Sequence, residues 1–268
     1  MGLICLTVLG CQTVQTTQPG MVGISREQHV SPLINRAQLN QQAALQYRQV
    51  LGEAQKQQRL NADAAEVERV RRIANRIIPQ TAVFRQDAVS WKWEINVLGS
   101  KELNAWCMPG GKIAVYTGLI NQLKVSDDEL AQVMGHEIAH ALREHAWERA
   151  SKSATAGLGL SILGIALGAS DGQMDLAGLV YNVTFELPNS REHETEADRI
   201  GIELAARAGY DPRAAISLWQ KMGKASDGAP PKWLSTHPAS TDREADLRRY
   251  GEIVQPLYEQ ARRGARAS

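Results

Sequence analysis

Three side chains in one short stretch have the types and the spacing for metal chemistry. In Val133-Met134-Gly135-His136-Glu137-Ile138-Ala139-His140-Ala141, two histidines stand four residues apart with a glutamate after the first. On a helix, positions four apart lie one turn above each other on one face. Two neutral imidazoles at that spacing can take two corners of a zinc tetrahedron. Glu137 lies beside that face and can serve as general base toward a water on the metal. The competing reading is an amphipathic helix with two unrelated histidines. The zinc reading demands a third protein ligand from elsewhere in the chain.

The stretch Ser190-Arg191-Glu192-His193-Glu194-Thr195-Glu196-Ala197-Asp198 offers that ligand. Glu192, His193, Glu194 and Glu196 are the candidates. Glu194 and Asp198 are four apart and share a face. One carboxylate can bind zinc while the other accepts the ring N–H of a ligating histidine. Glu192 and Glu196 share the neighbouring face, which reads as solvated, as do Arg199 and Glu203. His193 points roughly 100° away from Glu194. His237, in Ser235-Thr236-His237-Pro238, sits in a loop before a helix, a suitable place for a site residue. Cys107 could also ligate metal, but a lone cysteine far from the histidines reads better as a small buried residue.

These residues need elements to hold them. Ser126-Asp127-Asp128-Glu129 is a capping box, so the spacing predicts a helix from near Asp127 to about Trp147. Asn189 with Glu192 forms another capping pattern before a helix that ends at Gly209. Further helices are predicted from Leu33 to Gln58, from Ala62 to Ile78 with Pro79 ending it, after Asp211-Pro212, and from Thr241 toward Leu257. Trp91 to Val97 and Lys112 to Thr117 alternate as strands. Between them Asn104-Ala105-Trp106-Cys107-Met108-Pro109-Gly110-Gly111 is a turn. A small antiparallel sheet beside the zinc helix follows, and its edge could take an extended peptide by strand addition. The glycine-punctuated apolar segment 154–168 is too short for a confident membrane span and reads as a packed helix, with a flap or a membrane-surface segment as alternatives.

A net charge of +1 over 268 residues and few aromatics exclude a nucleic-acid partner. The apolar run from Met1 to Gly10 before Cys11 resembles a bacterial lipoprotein signal. Residues 1–10 are then a signal peptide, and Cys11 is the lipidated residue that anchors the chain. Gln12, rather than Asp, favours the outer membrane by resemblance to Gram-negative lipoproteins. Residues 11–32 read as a lipid-anchored flexible tether and 263–268 as a disordered basic tail, leaving 33–262 as the main domain. With Cys5 removed and Cys11 modified, only Cys107 remains, so no internal disulfide is expected.

The separated motifs together resemble one family. The chain is similar to the HtpX-like and CAAX-prenyl-protease-type zinc metallopeptidases, and within them to the periplasmic lipoprotein branch (LoiP-like and BepA-like). The matching residues are His136 to His140, Ser190 to Asp198, Thr236-His237-Pro238 with Arg243, and Asn104 to Gly111 with the strand to Thr117. The likeness covers about Leu33 to Tyr250. It implies an α+β, mainly helical domain of the gluzincin type, with one Zn2+ held by His136, His140 and Glu194 and with Glu137 as general base. It places His237 and Arg243 near the metal, stabilising the oxyanion or holding the peptide. His237 could instead be a fourth ligand that keeps the enzyme latent. Asn104, Gly110 and Gly111 become candidates for substrate contact.

The expected function is a zinc-dependent endopeptidase of the bacterial cell envelope, acting on misfolded or stalled proteins in the periplasm and tethered to the outer membrane, where assembly machinery could be its partner. The alternative is a chaperone-like assembly factor with a capped zinc. The chain departs from relatives in lacking clear transmembrane helices and a helical-repeat extension. Processing inside a bilayer and docking through such repeats are therefore not expected.

Overall fold

The computed structural model describes residues 12–166, 176–225, 231–238 and 242–267. The chain begins with a short antiparallel pair, β1 (Gln12–Val14) and β2 (Gln28–Val30), followed by α1 (Arg36–Lys56) and α2 (Ala64–Ile77). The apolar stripe of α2 is buried at Val67, Val70, Ile73, Ala74 and Ile77, as its period requires. Asp63 caps this helix by accepting from the amides of Ala65 and Glu66. Pro79 opens a tight turn at its end.

A three-stranded sheet comes next: β3 (Glu94–Leu98), β4 (Ala105–Met108) and β5 (Lys112–Tyr116). The expected small sheet is present, with one difference. The strand order is β3-β5-β4, so β4 pairs antiparallel with β5 while β3 runs parallel to it. The tight β4–β5 hairpin folds β5 inward between the other two strands. Its turn uses Gly110 and Gly111 at φ of 79° and 80°, a region that favours glycine. Tyr47 of α1 ties the sheet from outside, donating to the Ile113 carbonyl at 2.8 Å and accepting from Asn96 Nδ2 at 2.9 Å.

After α3 (Thr117–Gln122) comes α4 (Asp127–Leu142), with its capping box formed as expected between Ser126 and Glu129. Every residue from Glu129 to Leu142 is buried. The helix stops short of Trp147 because Glu144 adopts φ 52°, a left-handed conformation that no helix continues through. A new helix, α5 (His145–Ala166), starts directly after it and carries most of the glycine-rich segment. No described helix is long and apolar enough to cross a membrane.

Following α6 (Leu176–Tyr181), α7 (Arg191–Arg207) packs across α4. Ser190, not Asn189, caps α7, its hydroxyl accepting from the His193 amide. The crossing of α4 and α7 is set by two glycines. A Cβ on Gly135 would lie 2.6 Å from the Gly201 carbonyl oxygen, and one on Gly201 would lie 2.6 Å from the His136 nitrogen. Helices α8 (Ala214–Lys224), α9 (Lys232–Thr236) and α10 (Arg243–Ala267) complete the domain.

Two expected boundaries change. Residues 12–32, read as a flexible tether, are packed onto the domain: Val22, Ile24 and Val30 are buried, and the Gln18 amide donates to the Phe84 carbonyl at 2.7 Å. Its few apolar residues have no helical period, yet Val22, Ile24 and Val30 each find a pocket, while Met21 stays exposed. The basic tail is helical through 267 as the last turns of α10. The signal sequence and Cys11 lie outside the described residues.

Candidate metal centre and active site

Because α4 presents His136 and His140 on one face and the two glycines draw α7 close, Glu194 and Asp198 meet the histidines directly. His136 Nε2 and His140 Nε2 lie 3.0 Å apart. Glu194 places Oε2 3.6 Å from the first nitrogen and Oε1 3.4 Å from the second. His237, just after α9, joins them, and the ligand atoms of the four residues lie within 4.8 Å of one another. All four side chains are buried.

The residues fit a zinc ion. Both carboxylate oxygens of Glu194 are buried without a hydrogen bond; Arg243 Nη1 lies 3.1 Å from Oε2, and Oε1 is left without a cation, which is costly unless one completes it. Asp198 Oδ1 accepts from His136 Nδ1 at 2.9 Å, which leaves Nε2 with its lone pair toward the cluster. Burial alone depresses the pKa of His136, but the Asp198 hydrogen bond and the Glu194 and Asp198 charges raise it above the ordinary value. The pocket therefore favours positive charge. Two imidazoles and one carboxylate are a common donor set for catalytic zinc. Zinc at a thousand times its dissociation constant is expected to stabilise the fold by about 4 kcal/mol. Scanning calorimetry before and after chelation checks this, and an unchanged Tm would contradict it.

Glu137 is buried beside the cluster. Its Oε1 accepts from Trp233 Nε1 at 2.8 Å and lies 3.4 Å from His237 Nε2. Burial pushes its carboxyl up to about 7, partly opposed by His136 and the Trp233 hydrogen bond. Such a group can both take and return a proton near neutrality. Trp233 also stacks on His237, with ring centroids 4.6 Å apart. It was not among the sequence candidates, although an aromatic four residues before His237 shares its helical face.

The cavity beside this cluster is lined by Trp106, Met108, Glu137, His140, Arg149 and His237, among others. Of the predicted substrate contacts, Asn104, Gly110 and Gly111 do not line it; the residues between them, Trp106 to Pro109, do. Arg243 also does not line it. Its Nε lies 2.6 Å from Asp198 Oδ2, and its Nη1 lies 3.1 Å from Glu194 Oε2, with the guanidinium over the Trp219 ring. It grips the carboxylates from behind the cluster.

Two acidic residues read as solvated are buried. Glu196 is clasped by Arg143 and Arg26, and Glu203 accepts from the Val22 amide at 3.0 Å. In both cases the N-terminal segment covers the face. Glu192 is exposed as expected. His193 is buried against Glu148, with Nε2 to Oε2 at 3.0 Å, and is not part of the cluster. Cys107 is free and is likewise not in it.

An H-E-x-x-H helix joined by a carboxylate from a second helix defines a zinc metallopeptidase centre. The pattern of peptidase family M48 matches residues 64–250, and the chain belongs to that family, whose members are zinc metallopeptidases. It is 42% identical over 151 residues to the mitochondrial metalloendopeptidase OMA1 of Arabidopsis thaliana, covering 56% of this chain and 30% of that protein. It is 42% identical over 170 residues to the mitochondrial OMA1 of Bos taurus, covering 59% and 32%. To the beta-barrel assembly-enhancing protease of Escherichia coli (strain K12) it is 29% identical over 190 residues, covering 67% and 38%. The chain spans about a third of the length of these three relatives. The expected address, a lipid anchor in the periplasm of a Gram-negative bacterium, is overturned by this comparison: the relatives with the higher identities are mitochondrial.

Proposed function

We propose that the chain is a zinc-dependent endopeptidase that cleaves extended segments of misfolded or stalled polypeptides. The observation that carries this is the buried cluster itself: two ring nitrogens 3.0 Å apart facing a carboxylate with no hydrogen bonds, next to Glu137. His136, His140 and Glu194 hold the metal. Zinc bound there supplies Lewis-acid chemistry, polarising a carbonyl and acidifying water. Glu137 has Oε1 fixed by Trp233, which leaves Oε2 to take the proton from the attacking water. The water oxygen bonds to the scissile carbon, the C–N bond breaks, and Glu137 returns the proton to the leaving nitrogen. Asp198 orients His136, and Arg243 positions Asp198 and Glu194 rather than touching substrate. Strand β4 is at the sheet edge and lines the cavity through Trp106 and Met108, which supports binding of an extended segment along it.

One observation favours a second reading, a capped metal. The Trp233 carbonyl accepts a hydrogen bond from His237 Nδ1 at 3.0 Å, and the Thr236 hydroxyl, which donates to the same carbonyl, lies 3.0 Å from that nitrogen. Nε2 is then a bare lone pair facing the cluster, suited to a fourth ligand and unable to donate to an oxyanion. A capped metal gives either a latent peptidase or a chaperone-like factor. His237→Ala decides, measured as casein cleavage by the zinc-loaded chain. A faster variant is expected and supports a latent peptidase. Loss of cleavage assigns His237 to catalysis. If neither parent nor variant cleaves, the peptidase reading fails and the chaperone reading stands.

A further inference from the structure

The hydrogen bonds around His140 continue past the metal cluster. His140 Nδ1 lies 2.8 Å from His145 Nδ1, and His145 Nε2 lies 3.0 Å from Glu196 Oε2. Both imidazoles and Glu196 are buried. Glu196 is held in turn by Arg143, with Nε to Oε2 at 2.9 Å and Nη2 to Oε1 at 3.0 Å. It is also held by Arg26, with Nε to Oε1 at 2.7 Å. Arg26 belongs to the N-terminal segment and bridges to Glu148, which binds His193, and the His193 ring stacks on His145 at 4.2 Å.

With both imidazoles neutral, this chain of contacts has one consistent arrangement of protons. A carboxylate flanked by two guanidinium groups only accepts. His145 therefore donates from Nε2 to Glu196. Two nitrogens 2.8 Å apart share one proton. A neutral His145 already protonated at Nε2 has a bare Nδ1, so the proton between the rings belongs to His140 Nδ1. The Nε2 of His140 is then a lone pair facing the Nε2 of His136, which Asp198 has already fixed in the same way.

We infer that His145 is a positioning residue for metal binding, which sets the tautomer and ring orientation of His140, with Glu196 fixing His145 and Arg26 and Arg143 fixing Glu196. The inference rests on the zinc reading given above. His145 owes its place to a break in the helix. On an unbroken helix it would lie roughly 140° around from His140 and could not touch it. The left-handed Glu144 turns the chain back so that the first residue of α5 meets the last turn of α4. The Gln28 side chain, also from the N-terminal segment, donates to the Arg143 carbonyl at that same break. The segment thus braces both the kink and the carboxylate behind it.

The test is zinc affinity, measured by competition with a chromophoric chelator on the full chain, with thermal unfolding recorded for each variant. His145→Phe keeps the ring and removes the acceptor, and it is expected to weaken zinc binding about 10- to 100-fold. His145→Gln keeps an acceptor and is expected to recover much of the loss, which a purely packing role would not show. A folded His145→Phe variant that binds zinc as tightly as the parent overturns the inference. A parent that takes up no zinc overturns the zinc reading instead, so the two failures are distinct. Should His145→Phe not fold, ring-nitrogen NMR of the zinc-loaded parent decides alone. His140 is expected as the Nδ1–H form and His145 as the Nε2–H form. A proton on His145 Nδ1 overturns the inference.

Discussion

Glu137→Gln is expected to slow peptide cleavage by about 10²- to 10⁴-fold, the usual range for losing a positioned general base. The same variant is expected to bind one zinc with the parent's affinity. The side chains match in shape, and the glutamine oxygen can still accept from Trp233 Nε1, so the packing around the site is retained. What is lost is the ability to take a proton. The parent carboxyl is well matched to that task, since burial lifts it to about 7. Casein cleavage and zinc content measured on the same preparations check this. If Glu137→Gln cleaves casein at the parent's rate, the base is another residue.

Gly201→Val is expected to destabilise the fold by about 3 kcal/mol and to weaken zinc binding at the same time. The new Cβ would meet the His136 nitrogen at 2.6 Å and the Gly135 carbonyl carbon at 2.9 Å, both backbone atoms of α4. Backbone inside a buried helix cannot rotate away as a side chain can. Relief requires α7 to move off α4, and α7 carries Glu194 and Asp198. Stability and metal binding are therefore expected to fall together. Gly223→Ala on α8 is the control, since a Cβ there meets nothing within 4 Å. It is expected to be neutral or to stabilise by up to about 1 kcal/mol. Urea unfolding and chelator competition separate the two outcomes. A Gly201→Val variant with unchanged stability would mean that the close helix crossing does not set the site.

What the sequence discloses depends on how local the cause is. The capping box of Ser126 and Glu129, the buried stripe of α2 and the four-residue spacings of His136 with His140 and Glu194 with Asp198 all act within one helix. Spacing alone is enough to see them. Glu196 was misplaced because its burial comes from Arg26, distant in the chain, and nothing near Glu196 signals that cover. The N-terminal segment is hidden for the converse reason: its sequence lacks a period, and its order comes from distant partners, the pockets that receive Val22, Ile24 and Val30 and the carboxylates that hold Arg26 and the Val22 amide. His145 was hidden by Glu144, since a left-handed glutamate leaves no mark in a sequence that otherwise reads as continuous helix. Arg243 was placed near the metal, but which side of the carboxylates it occupies depends on how α10 packs on α7. The parallel pairing of β3 with β5 likewise follows from the hairpin folding between the strands, not from either strand's alternation.

With zinc on His136, His140 and Glu194 and Glu137 as the base, the proposed activity is cleavage of peptide bonds within a polypeptide. Mass spectrometry of casein incubated with the zinc-loaded protein tests it most directly. The expected result is fragments with new internal termini, absent after chelation and restored by added zinc. Intact casein after incubation with protein that carries one zinc per chain, in both the parent and the His237→Ala variant, would contradict it.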